Sequence, residues 1–265
     1  MKRKVVAMLG VLILIVVTGC AGDSERDGQT IASAQSAQDE AATTTEEKAT
    51  DGTATRTIVI DPGHSSVVSG EMEPLGPGSS ELKAADSTGT QGVTTGMPEY
   101  ELTLEVSEKL QTELEARGYT VILTRTTNDA PLSCVERADV ANDHAADALV
   151  RIHANGSEDQ TVQGAMTICI SPDNPFYPSL YPQARRLSEQ IIEAMCAATG
   201  CQNDGVWETD TMSGNNWSQV PATIIEMGYM TNPSEDQLMA SEGYQNKLVQ
   251  GIADGIDAYF AGLAT

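Results

Sequence analysis

The chain has 265 residues, and 38 acidic residues against 15 basic ones give it a net charge of −23. That balance excludes nucleic acid as a partner, because phosphate binding needs basic patches, and it excludes clinging to anionic lipid by charge. Once the two amino-terminal segments are set aside, roughly 200 residues remain, enough for a single domain with a real core.

Residues 1–19 read as an export leader. Lys2, Arg3 and Lys4 open it, residues 5–17 are thirteen almost purely apolar positions, and small residues precede Cys20. A basic start, a short apolar run and a small-residue cleavage site are the parts of a signal peptide. Thirteen residues fall short of the ~20 that a spanning helix needs. Val17-Thr18-Gly19-Cys20 resembles a lipobox, the processing site of bacterial lipoproteins. The resemblance implies cleavage before Cys20 and lipid on Cys20, each buried methylene contributing roughly 0.8 kcal/mol of anchoring. Loss of the leader removes three basic residues and leaves 12 against 38 acidic ones, a net charge of −26. Residues 20–56 then form an acidic tether whose one large aliphatic residue is Ile31. Such a segment cannot bury enough apolar surface to offset the entropy of ordering.

Residues 57–262 are the expected domain. Thr57-Ile58-Val59-Ile60-Asp61 is a β-branched run ended by Pro62-Gly63, which predicts a buried strand feeding a turn. Residues 65–98 are rich in Gly, Ser, Thr and Pro and lack periodicity, a long loop that either rims a site or is a solvated insertion. Leu102, Val106, Leu110 and Leu114 repeat at i+4 and predict a helix over 99–117, stopped by Gly118. Residues 119–124 read as a strand. Ser133 and Glu136 form a capping box for a second helix. Strands follow at 148–152 and 165–170, a helix at 180–198, a strand at 222–225 and an amphipathic helix at 244–260. Strands alternating with helices predict an α/β fold, one sheet with helices on both faces. Ligands collect at strand ends in such sheets, and His64, His153 and Glu226 lie at or just after three of those ends.

Beyond Cys20, the cysteines are Cys134, Cys169, Cys196 and Cys201, with no CxxC pair, which argues against a cysteine zinc knuckle. Cys196 and Cys201 are near enough in sequence to form a disulfide, and a role as small packing residues stands equally open. The three histidines are His64, His144 and His153. His144 falls among polar neighbours on a helix and reads as surface. The other two, held by strand ends with carboxylates nearby, suit a metal site, since a catalytic zinc takes about three protein ligands and leaves one open position.

Four segments in order resemble the zinc N-acetylmuramoyl-L-alanine amidases of the amidase-3 family. They are Ile58-Val59-Ile60-Asp61-Pro62-Gly63-His64, Pro98-Glu99-Tyr100-Glu101-Leu102, Arg151-Ile152-His153-Ala154-Asn155 and Ile225-Glu226-Met227-Gly228-Tyr229. The likeness spans nearly all of residues 57–260 and implies a mixed central sheet. It implies His64, Glu99 and His153 as ligands of one zinc ion, and Glu226 as the catalytic carboxylate moving a proton from water to the departing amine. The substrate implied is peptidoglycan, cut between N-acetylmuramic acid and L-alanine, with the enzyme a monomer on the outer face of the membrane. Ser65 and Ser66 replace the two glycines that usually follow the first histidine, and His64 and Glu99 are further apart than in many members. Glu101 does not share a helix face with Glu99, and Glu71, Glu73 and Glu81 are outside candidates for the second ligand. Asn155 is expected to support a ligand or to shape a turn. Arg125 and Arg137 are expected either to orient carboxylates around the site, Arg125 as a support of the ligands or part of the groove, or to pair internally, which is the commoner state of a buried arginine. Trp207 and Trp217 are expected to line the groove or fill the core. The rival readings are a zinc peptidase acting within the stem peptide and a wall-binding lipoprotein without catalysis.

Overall fold

The computed structural model describes residues 55–263. The leader, Cys20 and the tether through residue 54 lie outside the described residues. Arg56, counted with the tether, is tied to the domain by an ion pair to Asp147 at 2.6 Å. No helix among the described residues is long and apolar enough to cross a membrane.

Numbered along the chain, six strands form one sheet in the spatial order β4 (Thr120–Leu123), β1 (Thr57–Pro62), β5 (Ala148–Asn155), β8 (Ala222–Tyr229), β6 (Ala165–Cys169) and β7 (Asn203–Glu208). The first four run parallel, β6 is antiparallel to β8, and β7 is parallel to β6. The sheet is therefore mixed, as expected. Side chains alternate across each strand. Ile58 and Ile60 of β1, with Val150 and Ile152 of β5, face one side, while Val59 and Leu149 face the other.

The first side carries the main core. It is covered by α1 (Glu99–Ala116), α3 (Tyr181–Thr199) and α6 (Glu242–Ala261). Leu102, Val106, Leu110 and Leu114 of α1 are fully buried there, as are Leu248, Ile252 and Ile256 of α6. Each such side chain contributes about 1.5–3 kcal/mol relative to exposure. Helix α1 stops where Gly118 takes φ 94°, and α3 where Gly200 takes φ 78°, both in the left-handed region that costs glycine little. The second side is thinner. It holds α2 (Cys134–Asp143), with the Ser133–Glu136 capping box in place, and the five-residue α4 (Ser213–Trp217).

Part of that second side is covered by the 65–98 segment, which is more ordered than its composition predicts. It carries an antiparallel pair, β2 (Met72–Pro74) and β3 (Leu82–Ala84). Buried Glu73 accepts from Ser213 Oγ and from the Val135 amide. Trp217 Nε1 donates to Pro74 O, and Asn216 donates to Leu75 O. Trp217 is thus a fastener of this hairpin.

The sequence reading missed β7, α4 and α5 (Pro233–Met239) as well as the hairpin. All are short, and β7 is an edge strand with two polar residues and a glycine at its start, so no periodicity marks it. Cys134, Cys169, Cys196 and Cys201 are free thiols, with the Sγ atoms of Cys196 and Cys201 2.9 Å apart.

Candidate metal centre

The carboxyl ends of β1 and β5, and the start of α1, meet at one point. His64 follows β1 by two residues with φ 65°, a left-handed conformation rare for a side chain of this size and common at functional sites. His153 lies near the end of β5. Glu99 is the first residue of α1, placed there by Pro98, whose extended backbone ends the loop. The positive end of the helix dipole favours a carboxylate at that position.

The three side chains converge. His64 Nε2 is 3.0 Å from Glu99 Oε1 and 3.1 Å from His153 Nδ1, and His153 Nδ1 is 3.3 Å from Glu99 Oε1. An ion with bonds of ~2.0–2.1 Å in tetrahedral geometry separates its ligand atoms by about 3.3 Å, so the triangle matches that edge. His64 Nδ1 lies 3.1 Å from the Ser87 carbonyl and 2.9 Å from Ser87 Oγ, so Ser87 holds the outer side of the ring while Nε2 points into the triangle. Burial, aided by His64 and Arg151, drives the His153 imidazole down to about 4 against the pull of Glu99, so it is neutral at pH 7. Burial alone would raise the Glu99 carboxyl, but hydrogen bonds to His153 and His64 hold it well below the usual carboxylate range. Glu99 is further fixed by the amides of Thr90 on Oε2 and Ala154 on Oε1. The centre is therefore two imidazole nitrogens and a carboxylate in contact, a donor set that suits a cation. Among the described residues no other group of histidine, cysteine and acidic side chains converges in this way. The donor set and its spacing fit zinc.

Glu226 sits on β8 directly beside His153 on β5. Neighbours in a parallel pair point to the same face, so its carboxylate faces the same space. Its Oε2 is buried without a partner. Burial first, then the charge of Glu99, push its carboxyl up to about 8, against the pull of Arg151. A cation between the other three residues would offset the Glu99 charge and remove the second cause.

Beneath the site lies an ion network. Asp61 Oδ1 binds Arg137 at 2.7 Å and Asp61 Oδ2 binds Arg151 at 2.8 Å, with all three residues buried. Arg137 also donates to Pro62 O and His64 O, fixing the turn that carries His64. Its expected internal pairing is thus realised. Arg125 forms no ion pair; it donates to the carbonyls of Pro62 and Gly63, just before His64, and to those of Tyr100 and Thr127. The chain reverses there and leaves carbonyls unpaired, and the five donors of a guanidinium satisfy several at once. Ser65 and Ser66 are accommodated in the same turn: Ser65 Oγ and Ser66 N both donate to Asn128 O.

A cavity of about 370 Å³ opens over these groups, lined by His64, Glu99, His153, Glu226 and Asn155 and walled by Lys83, Asp86 and Ser87 of the 65–98 segment. Asn155 lies on its rim, its Oδ1 taking the Gly156 amide. Trp207 does not line it; half exposed on the edge strand β7, it stands apart from the site. His144 is exposed at the end of α2, as read. Glu101 is partly exposed, and with Glu71, Glu73 and Glu81 it stands outside the donor triangle. Ser87, Thr90 and the Asp61 network escaped the sequence reading, because residues in an aperiodic loop carry no signal of where they return.

Three converging donors and a buried carboxylate, gathered where β1, β5, β8 and the start of α1 meet, give this α/β domain one candidate cation site among the described residues. The chain belongs to the N-acetylmuramoyl-L-alanine amidase family Amidase_3, whose model matches residues 58–258. It is 31% identical over 206 residues to N-acetylmuramoyl-L-alanine amidase Rv3717 of Mycobacterium tuberculosis, covering 74% of this chain and 84% of that one. It is 29% identical to N-acetylmuramoyl-L-alanine amidase LytC of Bacillus subtilis over 77% of this chain, and the match spans only 35% of LytC. Among solved structures it resembles the amidase Ami1 of Mycobacterium smegmatis, with TM-score 0.72 at 25% identity over 78% of this chain and 97% of that one. An amidase from Clostridium difficile 630 matches with TM-score 0.64 at 27% identity, over the same shares of the two chains.

Proposed function

We propose that this chain is a zinc-dependent N-acetylmuramoyl-L-alanine amidase, exported and held by lipid on Cys20 at the outer face of the membrane, where it works as a monomer on the adjoining wall. The observation that carries the reading is the triangle of His64, Glu99 and His153 beside the unpartnered Glu226 carboxylate. Zinc in that triangle would supply Lewis acidity toward water and toward the amide carbonyl. The protein supplies the rest. His64, Glu99 and His153 hold the ion, and Asp61 with its two arginines keeps the His64 turn in place. Glu226 takes a proton from the attacking water and returns it to the alanine nitrogen as the amide bond breaks. A carboxyl held high by burial is suited to both halves of that transfer, since it binds and releases a proton near neutral pH.

Purified protein incubated with cell wall should release new amino groups on L-alanine and leave free lactyl carboxyls on muramic acid. Amino groups on other stem residues would instead identify a peptidase, and binding without cleavage would identify a wall-binding protein. Glu226→Ala should lower kcat by about 100- to 10,000-fold with zinc still bound, the range expected for loss of a general acid–base. Hydrolysis unchanged in that variant would overturn the mechanism.

A further inference from the structure

We infer that Lys83, on the hairpin of the 65–98 segment, binds a carboxylate carried by the peptide on the amine side of the bond to be cut. The inference deepens the proposed function and rests on that reading. Three cationic side chains apart from the histidines line the cavity: Arg137, Arg151 and Lys83. The two arginines are committed to Asp61 at 2.7 and 2.8 Å. Lys83 is different. Its Nζ donates to the Thr211 carbonyl at 2.7 Å and touches Met212 Sδ at 3.9 Å, both neutral, and no carboxylate of the described residues pairs with it. An ammonium has three donors, so at least one remains for a ligand. Glu73, directly opposite Lys83 in the β2–β3 pair, gives its two oxygens to Ser213 Oγ and the Val135 amide rather than to the ammonium.

Its position is also firm. β3 pairs with β2, and the hairpin is clamped by Glu73 to Ser213 and Val135, by Trp217 to Pro74, and by the Cys134 amide to the Ala85 carbonyl. A cation fixed on a rigid wall keeps most of its attraction for a ligand, because little side-chain and loop entropy is left to lose on binding. Asp86, on the same segment, also faces the cavity, with Oδ2 occupied by the Ser69 amide. Its charge repels an anion, so the wall discriminates: a carboxylate is accepted beside Lys83 and the neutral Thr211 and Met212, and refused beside Asp86.

The test uses the full chain loaded with zinc and two synthetic muramoyl-L-alanyl peptides, one ending in a free carboxylate and one in the carboxamide. The wild type should prefer the carboxylate in kcat/KM by about tenfold, through KM. Lys83→Met should abolish the preference, Lys83→Arg should retain most of it, and the exposed hairpin substitution Glu81→Gln should keep it whole. An equal loss on both peptides in Lys83→Met, or a preference that survives it, would overturn the inference. So would a wild type that cleaves both peptides equally well. A wild type that cleaves neither would instead remove the amidase reading itself.

Discussion

His64 holds φ 65° because its neighbours leave it no alternative: its carbonyl is tied to Arg137, and its ring is tied to Ser87. A strained ligand backbone persists only when the surroundings over-determine it. Gly63 shows how tightly. A Cβ there would overlap the His153 ring, and one at Gly89 would meet both Glu99 Oε2 and the His64 ring. These glycines serve close approach between ligands. Gly63→Ala should therefore push His153 aside and weaken zinc binding by about 10- to 100-fold, the scale seen when a ligand's support is lost, while far-UV circular dichroism stays native. Competition with a chromophoric chelator measures it, and wild-type affinity in this variant would show that the ring has room to move.

Among the elements, α1 matters most, because its first residue is a candidate ligand and its entry loop must be held still. That loop is tied down by α5. Buried Asp236 accepts from the amides of Thr94 and Thr95 and from Thr95 Oγ1, and Val93 N donates to Met230 O. The Asp236 side chain thus fixes the turn that delivers Pro98 and Glu99. Asp236→Ala orphans two backbone amides, at about 1–3 kcal/mol for each one that stays buried. Urea denaturation should show a loss in that range, and Asp236→Asn, which keeps one acceptor, should lose less. No difference between the two substitutions would mean that water replaces the carboxylate at no cost.

For the whole molecule, the main core lies on one side of the sheet and the site on the thinner side, so catalytic groups can change without disturbing the packing that holds the domain together. A cation joins β1, α1 and β5 and should stabilise all three. At zinc concentrations about 100 times its dissociation constant the gain is about 2.7 kcal/mol, or roughly 5–10 °C in Tm for a domain of this size. Differential scanning calorimetry of chelator-treated protein, with and without added zinc sulfate, measures the shift. The rise should persist in Glu226→Ala and vanish in His153→Ala, and a Tm indifferent to zinc in the unmutated protein would sink the three-donor assignment.

Much of this was legible in the chain before any coordinates. The i+4 leucines of α1, the β-branched run of β1 and the Ser133–Glu136 box depend on contacts within a few residues, so local pattern alone places them. His64, His153 and Glu226 could be picked out because each follows a strongly patterned apolar run, although β8 continues past Glu226 to Tyr229, and Glu99 was reached only through the resemblance to the family motif. The partners of those residues could not. Ser87 on His64, Asp236 on the Thr94 and Thr95 amides and Glu73 on Ser213 join positions far apart along the chain. The partners of Arg125 were hidden for the same reason, since the carbonyls that claim it are gathered by the meeting of β1, α1 and the loop after β4. Hydrophobic periodicity records which face of an element is buried. Which polar groups meet across the site is set by how the elements pack, and no local pattern in the chain records it.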